Sequence, residues 1–550
     1  MVIGLAAFVR LYPNALVPGW DVDESAYTGI ARNVANGEGV RLKPEYIDPG
    51  QAKLYTSHPP FGFYLEGGWF RLFGSGVTQA RWLAVTASVV TVLLLVFFLR
   101  RLMEDKWGAL LAGFLIAADG WMTFTNRVGW LENVQLVWGV LALWFYWRVS
   151  ERVKRYEPLQ HRSFFRRLTQ RGWWVTYSWL FMAGLVLAAV LVWKQVGVYF
   201  LLAGMVHRAI VRPYRRRLPR PEGGVLRRQG MYLWRSMKAT VRTVPRVLFG
   251  PLSLASALAV AAYIAYMTIW AGPEFFKSTL NQVKRALGLV ESRGAVKSTG
   301  DIITPLVNQY SIYIGMLIVL AVAGLMVGWR VMRAVVGEDF WANLWVGNFR
   351  QLFRFERWYL NSPPADYALL FAWTLAAFMV FGGGKLWLPH YVFMIVLPAY
   401  CFLVSGLRRW QRDGIPGDKR AWVVGLVCVL LAGSGLFATY ARMVKDPRNP
   451  VRDVVVWMDK NAELGSRVVT DEFIGQLIRQ PYCKITHAQA CEQRGGGRAP
   501  DYLILYTTTT QQLPRSAALQ RMIDNSTEVY RTQGFKETII IKRTKRGPPG

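Results

Sequence analysis

Ten apolar runs, at residues 78–99, 107–125, 130–147, 173–193, 195–210, 248–270, 306–329, 367–381, 386–406 and 421–440, recur along the chain between polar loops. A helix needs roughly 20 apolar residues to cross a bilayer, and inside lipid its backbone groups must bond within their own segment. A chain built this way is predicted to be an all-α polytopic membrane protein. Composition agrees, with 53% hydrophobic residues and a mean hydropathy of +0.20. The short apolar start from Val2 to Val9 reads as the end of an eleventh span whose beginning is missing, because Arg10 follows at once. It has neither the basic start nor the small-residue cleavage site of a signal peptide.

The formal net charge of +32 is distributed as topology, not as a nucleic-acid surface. Arg208 to Arg246 holds twelve Lys or Arg against the single acid Glu222, and Arg148 to Arg171 holds eight against two. Together with Arg100, Arg101, Lys106 and the Arg408 to Arg412 run, these fall on alternate loops, the positive-inside pattern. The opposite loops then face the extracytoplasmic side. The first of these, residues 12–76, carries seven acids and five bases. The aromatic and basic segment 340–355 reads as an interfacial helix on the inner side.

The outward loops hold the candidate chemistry. Asp23 and Glu24 are suited both to opening a helix that Asn36 and Gly37 would stop and to serving as a base at the membrane boundary. Asn126-Arg127 to Glu132-Asn133 places a base and an acid where one span ends and the next begins, and an internal ion pair would also explain them. Lys194 interrupts Leu191-Val192-Trp193-Lys194-Gln195; a cation at mid-membrane costs roughly 2.5–3.5 kcal/mol, less if it snorkels. His58-Pro59-Pro60 reads as a loop entering a helix. Gly382-Gly383-Gly384-Lys385 leads to His390-Tyr391 and lacks the spacing of a P-loop. Lys and Arg suit a phosphate, and a carboxylate suits a hydroxyl that loses its proton as it attacks. Jointly these residues point to transfer from a lipid-linked phosphate.

Asp23-Glu24 with Tyr27, His58-Pro59-Pro60, Arg127 with Glu132, Lys194 and the Lys385 to Tyr391 segment resemble, in order and sidedness, the landmarks of the GT-C glycosyltransferases. Within them, the chain is similar to the superfamily of protein O-mannosyltransferases and aminoarabinose transferases. The resemblance covers residues 1–440 and implies a GT-C transmembrane domain that uses a polyprenyl-phosphate sugar donor with inversion. It implies Asp23 as the general base, with Glu24 orienting Asp23 or acting on it through like charge. Arg127, Lys194 and Lys385 would bind the donor phosphate, and Tyr27, His58, Glu132, His390 and Tyr391 the substrates. The chain departs from the aminoarabinose transferases at Ala26 and His58, where they carry Arg and Lys, and from eukaryotic protein mannosyltransferases in the short loop 271–305. The sugar and the acceptor, whether lipid, glycan or protein, stay open.

Residues 441–550 change character and read as a small α/β extracytoplasmic domain, with Cys483 and Cys491 able to form a disulfide and Cys401 and Cys428 packed within spans. No cofactor is implied, no zinc spacing is present, and a metal that some relatives bind has no clear ligand set. A ligase acting on a lipid-diphosphate oligosaccharide, a transporter or a lipid-binding protein are the rival readings. A transporter would show repeat symmetry, which is not found.

Overall fold

The computed structural model describes residues 1–11, 22–48, 54–154, 171–214, 247–286, 365–381, 392–412, 420–445, 450–493, 499–508, 516–533 and 537–545. The run at 306–329, the segment 340–355 and the stretch 382–391 lie outside the described residues.

The chain is mostly helical and ends in a small sheet. Helices α1 (Val2–Leu11), α2 (Val22–Ala35), α3 (Phe61–Phe73), α4 (Val77–Met103), α5 (Lys106–Ala118), α6 (Gly120–Thr125) and α7 (Leu131–Lys154) come first. They are followed by α8 (Arg171–Ala189), α9 (Val198–Tyr214), α10 (Pro251–Ala271), α11 (Pro273–Ala286), α12 (Ala365–Phe381), α13 (Val392–Arg412) and α14 (Arg420–Lys445). Among the described residues three helical stretches are long and apolar enough to cross a membrane: Val77–Met103, Trp174–Val192 and Pro251–Ala271. Shorter apolar helices occupy Val2–Leu11, Lys106–Ala118, Ala368–Val380 and Ala421–Phe437.

The contacts divide the chain into two compact units. One holds Met1–Ala6, Val90–Met122 and Gln135–Leu436; the other holds Ala7–Val89, Thr123–Val134 and Phe437–Gly550. In the first unit α8 packs on α10, α9 on α12, and α13 on both α12 and α5. Gly184 lets α8 approach α10 closely, since a Cβ there would lie 2.2 Å from the Leu252 carbonyl oxygen. A small residue at such a crossing lets the two helix backbones come into close van der Waals contact. Trp373, Phe393, Cys401 and Cys428 are buried in this core. At one end Asp105 caps α5 by accepting from Trp107 N (3.1 Å) and takes ion pairs from Arg408 (2.8 Å) and Arg412 (3.0 Å) of α13.

In the second unit α2 packs along α3, and the C-terminal residues build α15 (Pro450–Asn461), β1 (Val468–Thr470), α16 (Glu472–Leu477), β2 (Tyr482–Lys484), α17 (Ala488–Gln493), β3 (Tyr502–Thr508), α18 (Ala517–Asp524), β4 (Ser526–Gln533) and β5 (Glu537–Thr544). The sheet runs β2-β1-β3-β5-β4, parallel across the first three strands and antiparallel across the rest. Side chains alternate between its faces, as a pleated strand requires. Val468, Ile504, Ile539 and Ile541 meet Val454, Met458 and Ile474 on one face, while Val469, Leu503 and Leu505 meet Leu519 and Met522 on the other. Cys483 and Cys491 are joined by a disulfide, with Cα atoms 6.1 Å apart. The unit also contains the long loop after the first apolar run, so α2 and the sheet belong to one body.

Candidate active site

Asp23 and Glu24 both fall in the first turn of α2, where the helix dipole favours carboxylates, yet they part company at once. Asp23 is part-exposed and Glu24 is fully buried. Glu24 accepts hydrogen bonds from Arg81 Nε (2.7 Å), Arg81 Nη2 (2.8 Å) and the backbone N–H of Gly129 (2.7 Å). A buried carboxylate persists only where such partners offset its lost hydration, and the planar guanidinium fork fits it with two bonds. The charge expected to act on Asp23 is therefore already taken up by Arg81. Of the pair, Asp23 is the carboxylate that reaches solvent.

The turn carrying Arg127 is fixed from several directions. Asn133, in the first turn of α7, donates to the carbonyls of Thr125 (3.2 Å) and Val128 (2.9 Å) and accepts from Asn126 (2.7 Å). Arg10 donates to Asn126 Oδ1 (3.0 Å), and Arg127 Nη2 donates to the Val9 carbonyl. Burial and the neighbouring Arg81 charge pull the Arg127 guanidinium down to about 10, so it stays cationic at neutral pH. Glu132 is buried in the first turn of α7. Gly129 sits tightly: a Cβ there would lie 3.2 Å from Glu24 Oε1 and 3.2 Å from Ala80 Cβ, so a side chain would need these neighbours to give slightly.

Tyr27, one helical turn beyond Asp23, meets the His58 and Phe63 rings edge-on at 5.6 Å each. Tyr55 closes the group against His58 (5.9 Å) and Phe63 (5.5 Å). This aromatic cluster seats the His58-Pro59-Pro60 entry to α3 on α2. Beside it, Thr28 Oγ1 and both carboxylate oxygens of Glu66 are buried without a hydrogen-bond partner among the described residues. Burial first, and then the Glu24 charge, push the Glu66 carboxyl up to about 8.

Asp23, Glu24, Tyr27, His58, Arg127 and Glu132 thus share the second unit. Lys194 belongs to the first, buried in extended backbone between two short 3-10 turns, with its carbonyl accepting from Gln135 Nε2. Lys385, His390 and Tyr391 lie outside the described residues. Sequence reasoning missed Arg81 and Glu66. Arg81 carried the same signal as Lys194, a cation inside an apolar run, and could have been marked on that ground. Among the described residues no group of three His, Cys, Asp or Glu is placed to hold a metal ion.

Residues 57–158 match the family described as dolichyl-phosphate-mannose-protein mannosyltransferase. Over 215 residues the chain is 29% identical to a polyprenol-phosphate-mannose–protein mannosyltransferase of Mycolicibacterium smegmatis strain ATCC 700084 / mc(2)155, a match covering 38% of this chain and 39% of that relative. The counterpart from strain MKD8 gives the same identity and coverage. The matched stretch therefore spans about two fifths of these curated relatives. In structure, the chain is similar to ArnT from Cupriavidus metallidurans, crystallised with undecaprenyl phosphate, with 13% identity, a TM-score of 0.53 and coverage of 98% of this chain and 96% of that one. It is also similar to the apo oligosaccharyltransferase of Archaeoglobus fulgidus, with 14% identity, a TM-score of 0.51 and coverage of 92% and 69%. At these identities the likeness is one of fold.

Proposed function

We propose that this chain, which carries the GT-C glycosyltransferase fold, moves a sugar from a polyprenyl-phosphate donor to an acceptor hydroxyl on the extracytoplasmic side of a membrane, with inversion at the anomeric carbon. The observation that carries the reading is the divergence of the two acids. Glu24 is consumed by Arg81 and Gly129, which fixes the start of α2 and leaves Asp23 part-exposed in the same unit as Arg127 and Glu132. The stretch matched by the mannosyltransferase family, 57–158, includes His58, Arg127 and Glu132 and makes mannose the first sugar to test.

Asp23 takes the proton of the acceptor hydroxyl as its oxygen bonds to the anomeric carbon. The bond from that carbon to the phosphate oxygen breaks, and the lipid phosphate leaves with the electron pair. Negative charge grows on the phosphate through this step, so preorganised cations there lower the barrier. Arg127, Lys194 and Lys385 are assigned to it. Glu132 binds sugar hydroxyls or steadies Arg127, and Tyr27, His58, His390 and Tyr391 are assigned to substrate binding. On the same reading the apolar runs of the sequence are about eleven membrane spans, and the C-terminal domain lies on the extracytoplasmic side.

The test is turnover of polyprenyl-phosphate-mannose by the full chain in lipid nanodiscs, with a serine/threonine peptide as acceptor and a diphosphate-linked oligosaccharide as the competing donor. Asp23→Asn should fold and bind lipid while losing about 10²- to 10⁴-fold in rate. Near-normal turnover by that variant removes Asp23 from the mechanism, and a preference for the diphosphate donor favours the oligosaccharide ligase.

A further inference from the structure

Lys43 lies on the loop between α2 and α3, and its Nζ donates to the carbonyls of Gln480 (2.7 Å), Ile478 (2.8 Å) and, more weakly, Gly475 (3.4 Å). These carbonyls sit at and just beyond the C-terminal end of α16, where a helix leaves its last acceptors unbonded and favours a cation. Gln476 of the same helix grips the Lys43 backbone, its Oε1 accepting from Lys43 N (2.9 Å) and its Nε2 donating to Lys43 O (3.2 Å) and Tyr482 Oη (2.8 Å). Arg32, in the last turn of α2, donates to the Leu477 carbonyl (3.0 Å). Gly29 brings α2 so near that a Cβ there would lie 3.1 Å from both Gln476 Cβ and Oε1. Further along, Tyr46 N donates to the Tyr482 carbonyl (2.8 Å), and Glu45 accepts from Lys484 N (2.9 Å).

Both α2 and the chain leaving it are therefore bonded to one short helix of the C-terminal domain. Isolated helices of α2's length are marginal in water, so its placement depends on what it docks against. Placement matters chemically, because a misplacement of about 1 Å can cost about 10²-fold in rate.

We propose that Lys43 and Gln476 are positioning residues, and that the C-terminal domain is the seat that fixes α2 and, through it, the carboxylate of Asp23. The proposal rests on the assignment of Asp23 as base. It makes the domain a part of the active site's framework.

The test measures amide hydrogen exchange of residues 22–35 together with kcat and KM for polyprenyl-phosphate-mannose, using the full chain in nanodiscs. In Lys43→Met, exchange in 22–35 should quicken while that of α7 does not, and kcat should fall about tenfold or more at unchanged KM. Lys43→Arg, which keeps N–H donors for the carbonyls, should recover most of kcat. Should Lys43→Met fail to fold, Gln476→Asn, one methylene shorter, is read the same way. Unchanged exchange in 22–35, or quickened exchange at full kcat, overturns the proposal. Asp23→Asn in the same assay keeps the two readings apart: normal turnover there sinks the base assignment, whereas exchange in 22–35 still reports whether the domain seats α2.

Discussion

Arg81 holds Glu24 through two hydrogen bonds, at 2.7 and 2.8 Å, with both side chains wholly shielded from solvent. The pair ties the first turn of α2 to α4, and through Gly129 N it also ties both to the turn that carries Arg127. Three segments distant in sequence meet on one carboxylate, which makes Glu24 a structural anchor beside a chemically available neighbour.

Arg81→Ala should therefore destabilise the chain by about 3–5 kcal/mol, the usual consequence of stranding one member of a buried pair. Arg81→Lys should restore only part of this, since an ammonium cannot match the two-pronged fork. Replacing both residues with leucine should cost less than Arg81→Ala alone. Denaturant unfolding in detergent micelles reads these differences, and an Arg81→Ala midpoint equal to that of the parent chain would contradict the anchor.

Gly129→Ala tests the same junction from the backbone side. The new methyl would press on Glu24 Oε1 and Ala80 Cβ at 3.2 Å, tighter than ordinary contact, so the carboxylate or the turn must give by a few tenths of an ångström. The expected outcome is a cost of about 1–3 kcal/mol, with a larger proportional loss of turnover because Arg127 and Asp23 shift relative to each other. Unaltered turnover would show that the junction tolerates the displacement.

Glu66 predicts a pH dependence of stability whose sign follows from its raised affinity for the proton. The carboxyl titrates near 4.5 when unperturbed and at about 8 in the folded chain. Below pH 4.5 both states hold the proton, and the group adds no slope. Between 4.5 and 8 the unfolded chain releases a proton that the folded chain keeps, so stability falls as pH rises and reaches its floor above 8. Glu66→Gln should remove that slope and shift the unfolding equilibrium toward the folded state by at least about tenfold at pH 8. Parallel pH–stability curves for the two proteins would refute the assignment.

How far the sequence reveals this architecture depends on range. Helix α2 ends at Ala35, where Asn36 and Gly37 suggested a stop, and Gly37 takes the positive φ of +86° that favours glycine. The strands around Val468, Tyr502 and Ile539 follow from their β-branched and aromatic runs, which are local signals. The partner of Glu24 was not legible, because Arg81 lies 57 residues away and only the tertiary fold brings the two side chains together. The same holds for Lys43 and Gln476, 433 residues apart. Periodicity and capping speak for neighbours along the chain, whereas the site is assembled from ion pairs and backbone bonds that no local pattern encodes.

The Cys483–Cys491 disulfide gives the last prediction, because its loop holds residues that bond the first long loop. Lys484 N donates to Glu45 Oε2 (2.9 Å), Lys484 Nζ lies 3.8 Å from Glu45 Oε1, and His487 Nδ1 is 3.2 Å from Oε2. Both residues fall between the two cysteines, whose separation is 8. Closing so short a loop removes modest chain entropy, about 2–3 kcal/mol at 25 °C. Cys483→Ala with Cys491→Ala, or reduction of the parent chain, should lower the stability of the C-terminal domain by about that amount. Glu45→Gln keeps the disulfide and weakens only the ion pairs, most of them part-exposed, so it should cost about 1 kcal/mol or less. If docking of the 43–48 loop depends on the shape that the disulfide imposes, exchange in that loop quickens on reduction and is little changed by Glu45→Gln. Equal exchange before and after reduction would show that the hydrogen bonds of Lys43 and Tyr46 hold the loop without the disulfide's help.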